Sequence, residues 1–298
     1  MYEVIDTNLT DANVGARKNR SCRDNLFVLG AVSNSIINGD SNPIQLQSID
    51  IQQCFDKLWL EATSNSLYEA GVTCDLLNIL YIENKNADIA VKVSNALTER
   101  FKVKKIVMQG WVCGGLKCTS LMDKLNKIMN KKETLKYKYK GDPNIGIGVL
   151  GMVDDNIGIS ECGINSVEKN AVINSFVEAH RLKLHVDKSV VLHVGSVRKC
   201  DQPCPQLKIH NNKMHETENT KYLGNIVSSK GGNRATIEDR RNKGWGKIAT
   251  IMGIIGEVDM GSHRMEVGLL LRKAILTSSL LFSAEAWSAV TDAEIHRL

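Results

Sequence analysis

The stretch GMVDDNIGIS, residues 151–160, places two adjacent aspartates between two short apolar runs. The runs 145–153 and 157–159 predict two β-strands, and residues 154–156 predict the turn that joins them. Asp and Asn are favoured in turns because their side chains hydrogen-bond the local backbone. Adjacent carboxylates repel each other, which indicates a bound cation. Mg²⁺ suits them because it binds a few carboxylates together with substrate phosphates.

A third carboxylate, Asp50, lies about 100 residues upstream in the stretch IQLQSIDIQQCFDKLWLEA, residues 44–62. Alternation over residues 44–49 predicts a strand that ends at Asp50. This strand end and the hairpin turn are expected to bring three carboxylates to one sheet edge. Two-metal phosphoryl transfer requires such a cluster, since one ion activates the attacking 3′-hydroxyl and the other holds the triphosphate.

Further blocks of sequence follow in a fixed order along nearly the whole chain. With them the chain resembles the reverse transcriptases, and among these the enzymes of non-LTR (LINE-type) retrotransposons. Each block is a loose pattern alone, and the resemblance rests on their shared order and spacing. The similar segments are RKNRSCRDNLFVL (17–29), IDIQQCFD (49–56), VMQGWVCGGLKCT (107–119), GMVDD (151–155), EAHRLKLHVDKSVVLHVG (178–195) and KYLGNIVS (221–228).

The resemblance implies roles for the chemical groups. Asp50, Asp154 and Asp155 would hold two Mg²⁺ ions (Mn²⁺ is the alternative ion), with Asp50 and Asp154 the principal ligands. Lys188 would be the general acid for the leaving pyrophosphate, a role that lysine fills when its pKa is drawn toward the working pH. Phe55 would pack against the sugar of the incoming nucleotide and exclude a 2′-hydroxyl.

The resemblance also implies two binding regions. Gln109 and Gly110 would line the pocket for template and nucleotide, and Tyr222, Leu223 and Gly224 would support the primer end as the primer grip. The substrates would be an RNA template, a DNA primer and dNTPs.

The implied fold is α+β, a right-hand polymerase palm with an antiparallel sheet backed by helices. We expect partial fingers at 1–44, a palm at 45–225 with a returning fingers segment at about 62–108, and a partial helical thumb at 226–298. The chain would be a piece of a longer retrotransposon protein, truncated at both ends and without its endonuclease and DNA-binding domains. The triphosphate-binding arginine of the fingers is missing unless Arg17 or Arg20 replaces it.

The chain departs from the family pattern at three places. Met152 and Val153 stand where an aromatic residue and Ala usually precede the aspartates, and Gly114-Gly115 replaces a common Ser-Pro. His185 stands where Asn is frequent. The carboxylates are retained, so the departures concern the shape of the pocket.

Positive charge is concentrated in one region, although the net charge is only +5. Between Arg100 and Lys140 there are twelve Lys and Arg against two Asp and Glu, as expected of a nucleic-acid channel. In KYKYK, residues 136–140, alternation on a strand would give one basic and one aromatic face. Lys136, Lys138 and Lys140 then either contact nucleic acid or protect an edge strand from aggregation.

The C-terminal part predicts helices. Thr236 with Asp239 indicates a capping box at a helix start. Arg240, Lys243 and Lys247 then form a basic stripe, either a nucleic-acid contact or a solvated helix face. Helices are also predicted at 57–70, ended by Gly71, and at 166–184.

Membrane insertion is not expected, since no uncharged apolar run of ~18 residues is present. The apolar region 267–281 contains Arg272 and Lys273 and predicts a buried helix. An intracellular protein of nucleus and cytoplasm is expected, and its eight cysteines are expected to be reduced. Cys200, Cys204, His210 and His215 suggest zinc by residue type, but the short gap between Cys204 and His210 favours a plain loop.

Other functions stay open beside the RNA-directed DNA polymerase. A related palm enzyme, of the group II intron or RNA-copying RNA polymerase type, would share the carboxylates, although Phe55 disfavours ribonucleotides. A catalytically inactive remnant would bind nucleic acid and incorporate nothing. An unrelated metal-dependent nuclease would degrade nucleic acid without dNTPs.

Overall fold

The computed structural model describes residues 2–85, 87–102, 107, 113–142, 144–161, 165–195, 204–257, 261–287 and 290–296. The α-helices are α1 Tyr2–Asn8, α2 Cys22–Ile37, α3 Cys54–Lys57, α4 Leu60–Glu69, α5 Cys74–Lys85, α6 Gly114–Lys131, α7 Ser166–Ala179, α8 Arg234–Glu257, α9 Arg264–Leu271, α10 Ser278–Leu280 and α11 Asp292–Ile295. The strands are β1 Ile44–Ile49, β2 Asp88–Ile89, β3 Lys92–Val93, β4 Ala96–Leu97, β5 Phe101–Lys102, β6 Tyr137–Lys138, β7 Gly146–Ile147, β8 Val149–Met152, β9 Asp155–Glu161, β10 Val190–Val194, β11 Lys208–Ile209, β12 Asn212–Lys213, β13 His215–Thr217, β14 Asn219–Tyr222 and β15 Asn225–Ser228.

A five-stranded sheet in the order β13-β10-β1-β9-β8 lies at the centre of the fold. β1 pairs antiparallel with both β9 and β10, and only β13 runs parallel to its neighbour. The alternation predicted for residues 44–49 is confirmed, because Ile44 and Leu46 are completely buried on one face. Burial of such side chains contributes roughly 1.5–3 kcal/mol each, so β1 is a strong centre for the sheet.

Helices cover both faces of this sheet. On one face α2 packs through Leu29 against Leu46 of β1 and Ile157 of β9. On the other face α6 and α7 pack against the sheet through Met122 and Phe176. An antiparallel sheet backed by helices is the architecture that the sequence predicts. The proposed division at 44–45 and 225–226 stays a prediction.

Two predicted helices lie close to their expected ranges. α4 covers most of 57–70, and Gly71 follows it with φ +89, the left-handed conformation that glycine adopts after a helix. α7 begins at Ser166 as predicted but ends at Ala179, before the expected residue 184. The reason is Arg181, whose φ of 52 breaks the helix, while Leu184 forms a β-bridge with Ile51.

The predicted capping box at Thr236 is wrong. α8 begins at Arg234, so Thr236 lies inside the first turn. Its hydroxyl accepts from the Ile226 N–H and donates to the Ile226 carbonyl, each at 3.0 Å. The side chain therefore joins α8 to β15.

The prediction of a buried helix at 267–281 is also wrong. No residue of α9 is buried, and Met265 and Leu270 are 78% and 60% exposed. The inner side of this segment meets α8 near Gly244, where Leu280 packs, and its outer side lacks cover among the described residues. By length and composition alone, the 23-residue stretch Arg264–Ala286 contains a window apolar enough to cross a membrane.

A buried lysine braces the back of the aspartate hairpin. Lys169 of α7 is completely buried, and its Nζ donates to the carbonyls of Gly148, at 2.8 Å, and Ile159. These carbonyls lie on opposite arms of the hairpin that carries the aspartates. Burial lowers the pKa of Lys169 from 10.5 to about 7.

We expect Lys169 to make stability depend on pH. The unfolded chain, with the ordinary lysine pKa, binds more protons than the folded protein between pH 7 and 10.5, so the free energy of unfolding rises with pH across that window. Lys169 should contribute up to about 1.4 kcal/mol per pH unit to this slope, and Lys169→Met should lower the slope by that amount. Urea unfolding at several pH values measures it, with the exposed Lys131→Met as control. An unchanged slope in Lys169→Met would contradict the assignment.

Candidate functional site

The aspartate pair lies on the hairpin of β8 and β9. Met152 pairs with Asp155, so the turn consists of Val153 and Asp154. The sequence placed the turn at 154–156, one residue too far along the chain. Asp155 and Asn156 instead begin β9. The two aspartates therefore occupy different positions, Asp154 in the turn and Asp155 at the first residue of a strand.

Val153 has a strained backbone. Its φ is 60, a conformation that is unusual for a β-branched residue. The N-terminal segment holds it there: the Val14 N–H donates to the Gly151 carbonyl at 3.0 Å, and the Gly151 N–H donates to the Ala12 carbonyl at 2.9 Å. A Cβ on Gly15 would lie 2.4 Å from the Val153 nitrogen, so only glycine fits against the turn.

Strand register brings Asp50 to this hairpin. Ile49 pairs with Asn156, so Asp50 follows directly at the level of Asp155. The backbone of Asp50 is fixed on both sides, because its N–H donates to Ser189 Oγ at 3.0 Å and its carbonyl accepts from the His185 N–H at 2.8 Å. The predicted approach of the strand end to the hairpin is therefore present.

The three carboxylates influence one another. The pKa of Asp154 is raised above its ordinary value, first by partial burial and then by the charge of Asp50. The pKa of Asp155 is raised by desolvation in the cleft and by the charges of Asp154 and Asp50. Negative charge is thus concentrated at this end of the sheet, as a cation site requires.

The three carboxylates lie near one another, but they do not by themselves form a complete metal-coordination site. In the ranges that the structure describes, no three His, Cys, Asp or Glu side chains are arranged to hold one metal ion. Oxygen ligands are those that Mg²⁺ prefers, and it needs only one or two carboxylates when substrate phosphates complete its shell. The residues therefore fit divalent cations that arrive with a nucleotide, and the three-carboxylate metal cluster stays a prediction.

One cleft joins these groups to the other predicted site residues. Asp50, Asp155 and Lys188 line it together with the tip of the β14–β15 hairpin. Lys188 is exposed and also lines an adjoining depression with Asp50. Phe55 is half-buried in α3, and its carbonyl accepts from the Val107 N–H at 2.8 Å. Gln109 and Gly110 lie outside the described residues.

The predicted primer grip is a tight hairpin. Leu223 and Gly224 form its two-residue turn, with φ 45 and 87, and two such values favour glycine in the second position. Tyr222 is buried, donates its hydroxyl to the Leu150 carbonyl at 3.0 Å and accepts from Asn25 at 3.3 Å. Tyr222 therefore anchors the hairpin to β8, and the turn itself faces the cleft.

Comparison with known proteins now identifies the family. Residues 1–227 match the family model described as reverse transcriptase (RNA-dependent DNA polymerase). The chain belongs to the reverse transcriptase family. A comparison with curated proteins gives no match.

Solved structures of telomerase from Candida tropicalis share the fold. The telomerase in complex with the TWJ fragment of telomeric RNA has a TM-score of 0.54 at 12% identity, over 95% of this chain and 46% of that one. The apo telomerase has a TM-score of 0.51 at 12% identity, over 99% of this chain and 50% of that one. The reverse transcriptase chain thus spans about half the length of these telomerase chains. The predicted α+β polymerase palm with helices is confirmed.

Arg240 of this reverse transcriptase does not face nucleic acid. It is 7% exposed, donates to the Gly224 carbonyl at 2.7 Å and to Asn225 Oδ1 at 3.0 Å, and stacks over Phe282. The predicted contact is therefore corrected: Arg240 binds α8 to the primer-grip hairpin. No sequence pattern revealed this role, because one of its partners is a main-chain carbonyl.

The lysines that were predicted to contact nucleic acid differ in whether an acidic side chain already pairs with them. Lys136 and Lys138 both pair with Glu133, the former at 2.5 Å, and together they lower the pKa of that carboxyl to about 2. Lys243 pairs with Asp239 one turn before it. Lys140 and Lys247 are exposed, so they are better placed to meet a polyanion.

Neither N-terminal arginine is placed as a triphosphate clamp. Arg17 is buried, and it donates to Asp6 at 2.7 Å and to the Thr10 carbonyl at 2.7 Å. Arg20 pairs with Asp11 at 2.6 Å. Arg17 therefore holds the N-terminal loop in place rather than serving as a triphosphate ligand.

The possible zinc ligands do not form a site in the described part of the chain. Cys204 is disulfide-bonded, which corrects the expectation of a reduced thiol and removes it as a thiolate ligand. His210 lies in the turn between β11 and β12, and His215 begins β13. Cys200 lies outside the described residues. The plain loop expected here is also corrected, because the segment forms the β11–β12 hairpin and the edge strand β13.

Arg240→Ala should destabilise the protein by about 1.5–3 kcal/mol, since Gly224 and Asn225 would lose a charged donor. Hydrogen exchange of the backbone amides in residues 219–228 should also become faster in Arg240→Ala. The adjacent Arg241 is exposed, so Arg241→Ala should stay within about 0.5 kcal/mol of wild type in urea unfolding. Equal effects of both substitutions would contradict the anchoring role.

Asp154→Asn should stabilise the metal-free protein. The raised pKa means that ionised Asp154 disfavours the folded state at neutral pH, and this cost vanishes as pH falls below the ordinary value of 3.8. A gain in the free energy of unfolding is expected at pH 7, and it should shrink toward pH 4. Thermal unfolding measures it, with the exposed Asp40→Asn as control. A loss of stability in Asp154→Asn at neutral pH would refute the electrostatic account.

Proposed function

We propose that this chain is an RNA-directed DNA polymerase of non-LTR retrotransposon type. It adds deoxynucleoside monophosphates to a DNA 3′ end while copying RNA. The observation that carries the proposal is the convergence of Asp50, Asp155 and the Leu223–Gly224 turn on one cleft, with Asp154 close by. A nuclease needs the carboxylates but has no use for the primer-supporting hairpin.

Separate residues of the chain would bind the metal ions, donate a proton and select the sugar. Asp50 and Asp154 would hold two Mg²⁺ ions with help from Asp155, and the bound ions supply charge neutralisation at the triphosphate and activation of the 3′-hydroxyl. Lys188 would donate a proton to the leaving pyrophosphate oxygen. The Phe55 ring would exclude a ribose 2′-hydroxyl.

The proposed partners follow from this reaction. They are an RNA template, a DNA primer and dNTPs, together with endonuclease and DNA-binding domains of a longer element protein. The similar telomerase structure contains a telomeric RNA fragment, which supports RNA as the template class. The same proposal includes synthesis of the protein in the cytoplasm and DNA polymerisation in the nucleus.

Primer extension tests the reaction. With poly(rA)/oligo(dT), dTTP and Mg²⁺, the chain should extend the primer, and Asp154→Ala should reduce extension by about 10³-fold or more, as expected when charge compensation is lost in phosphoryl transfer. Asp40→Asn serves as the matched control and should keep full activity. Equal extension by wild type and Asp154→Ala would overturn the proposal.

Phe55→Val should relax sugar selection. A smaller side chain on α3 leaves room for a 2′-hydroxyl, so the preference for dTTP over UTP should fall by at least about ten-fold. The ratio of kcat/KM values for the two nucleotides measures it. An unchanged ratio would mean that another residue selects the sugar.

One observation favours a second candidate, a catalytically inactive module that only binds nucleic acid. Within the described ranges, Arg17 and Arg20 are both engaged by aspartates, and triphosphate clamping contributes much of the catalysis in phosphoryl transfer. Such a module would bind primer–template with a steep salt dependence and extend nothing.

A further inference from the structure

Two thiols meet beneath the proposed active site. Cys54 begins α3, and Cys118 lies in the first half of α6. Their sulfur atoms are 3.6 Å apart, both residues are free cysteines, and both are buried. The 64 residues between them in the chain make this contact tertiary rather than local.

The pair belongs to the palm core and adjoins the carboxylates. Both cysteines pack in the cluster that includes Leu121 and Met122 of α6. The pKa of Cys118 is raised well above its ordinary value by its contact with Cys54 and by burial, and the charge of Asp154 adds to the effect. The thiols therefore lie within electrostatic reach of the catalytic turn.

Cys54 also adjoins the residue proposed to select the sugar. Phe55 follows it in α3, and α3 begins after Gln53, whose φ is 49. The segment is pinned at both ends: the Gln52 N–H donates to the Lys183 carbonyl, and the Val107 N–H donates to the Phe55 carbonyl, each at 2.8 Å. A displacement of Cys54 is therefore transmitted to Phe55.

We propose that Cys54 and Cys118 form a dithiol site that closes to a disulfide in the presence of a peroxide and thereby restrains the nucleotide pocket. One thiol is oxidised to a sulfenic acid while the peroxide O–O bond is cleaved and one water leaves. The second sulfur then attacks the sulfenic sulfur, the S–S bond forms and a second water is released. Two thiols and one hydrogen peroxide thus give one disulfide and two waters.

Closure brings the two sulfurs closer and ties α3 to α6 by a covalent bond. A disulfide bond is about 2.05 Å long, so the sulfurs must approach by about 1.5 Å. Displacements near 1 Å at a reacting centre reduce catalysis by about 10²-fold. The effect on nucleotide addition rests on the proposed function, whereas formation of the disulfide does not.

The site is tested on the full chain treated with hydrogen peroxide at mildly alkaline pH. Remaining thiols are alkylated, the protein is digested without reductant, and a peptide pair linked through Cys54 and Cys118 is sought by mass spectrometry. Cys118→Ala should abolish the linked pair. Cys22→Ser, which removes a half-buried thiol at the start of α2, should leave the linked pair unchanged.

The restraint is tested by two readouts. Hydrogen exchange in residues 50–58 should slow after oxidation and recover with dithiothreitol, in wild type but not in Cys118→Ala. The KM for dTTP should rise by about ten-fold or more in the oxidised wild type and stay constant in Cys118→Ala.

Oxidation of each thiol without a linked pair would overturn the dithiol site, and a linked pair without slower exchange would overturn the restraint. If the chain extends no primer even when reduced, the proposed function fails, and the linked pair and the exchange rates still decide this inference.

Discussion

Pairing of β1 with β9 holds the carboxylates of Asp50 and Asp155 close together despite their like charge. The helices and hairpins around the sheet stabilise this pairing. The register of Ile49 with Asn156 places Asp50 beside Asp155 against their mutual repulsion, which raises the pKa of Asp155. A slip of one residue would turn every side chain of β1 to the opposite face. Burial of both faces of β1 under helices prevents the slip, so hydrophobic packing stabilises a site that electrostatics alone would disperse.

Two buried cations reinforce the hairpins around the cleft in the same manner. Lys169 binds carbonyls at the base of the aspartate hairpin, and Arg240 binds the carbonyl of Gly224 in the primer-grip turn. Each satisfies main-chain oxygens that would otherwise be buried without enough donors. A third brace, the segment that contains Gly15, holds the strained backbone of Val153. Rigid hairpins on both sides of a cleft suit a reaction that depends on positioning.

Sequence patterns predicted the parts of this fold that depend on local periodicity. Alternation located β1, glycine preference located the end of α4, and the paired aspartates located the hairpin. The failures share a physical cause, since they depend on tertiary partners: Thr236 bonds to β15, and Arg240 bonds to a main-chain carbonyl. The apolar region 267–281 was expected to be buried because apolar residues usually are, but none of its residues is buried in the described structure.

The central claim is that Asp50 and the hairpin aspartates together bind divalent cations whose coordination is completed by a nucleotide. Titration of Mn²⁺ with dTTP present, followed by electron paramagnetic resonance, measures it most directly. The account predicts nucleotide-dependent binding of Mn²⁺ by the wild type that is weakened by about ten-fold or more in both Asp50→Asn and Asp154→Asn, each removing one ligand. Mn²⁺ binding that is the same in all three proteins would contradict it.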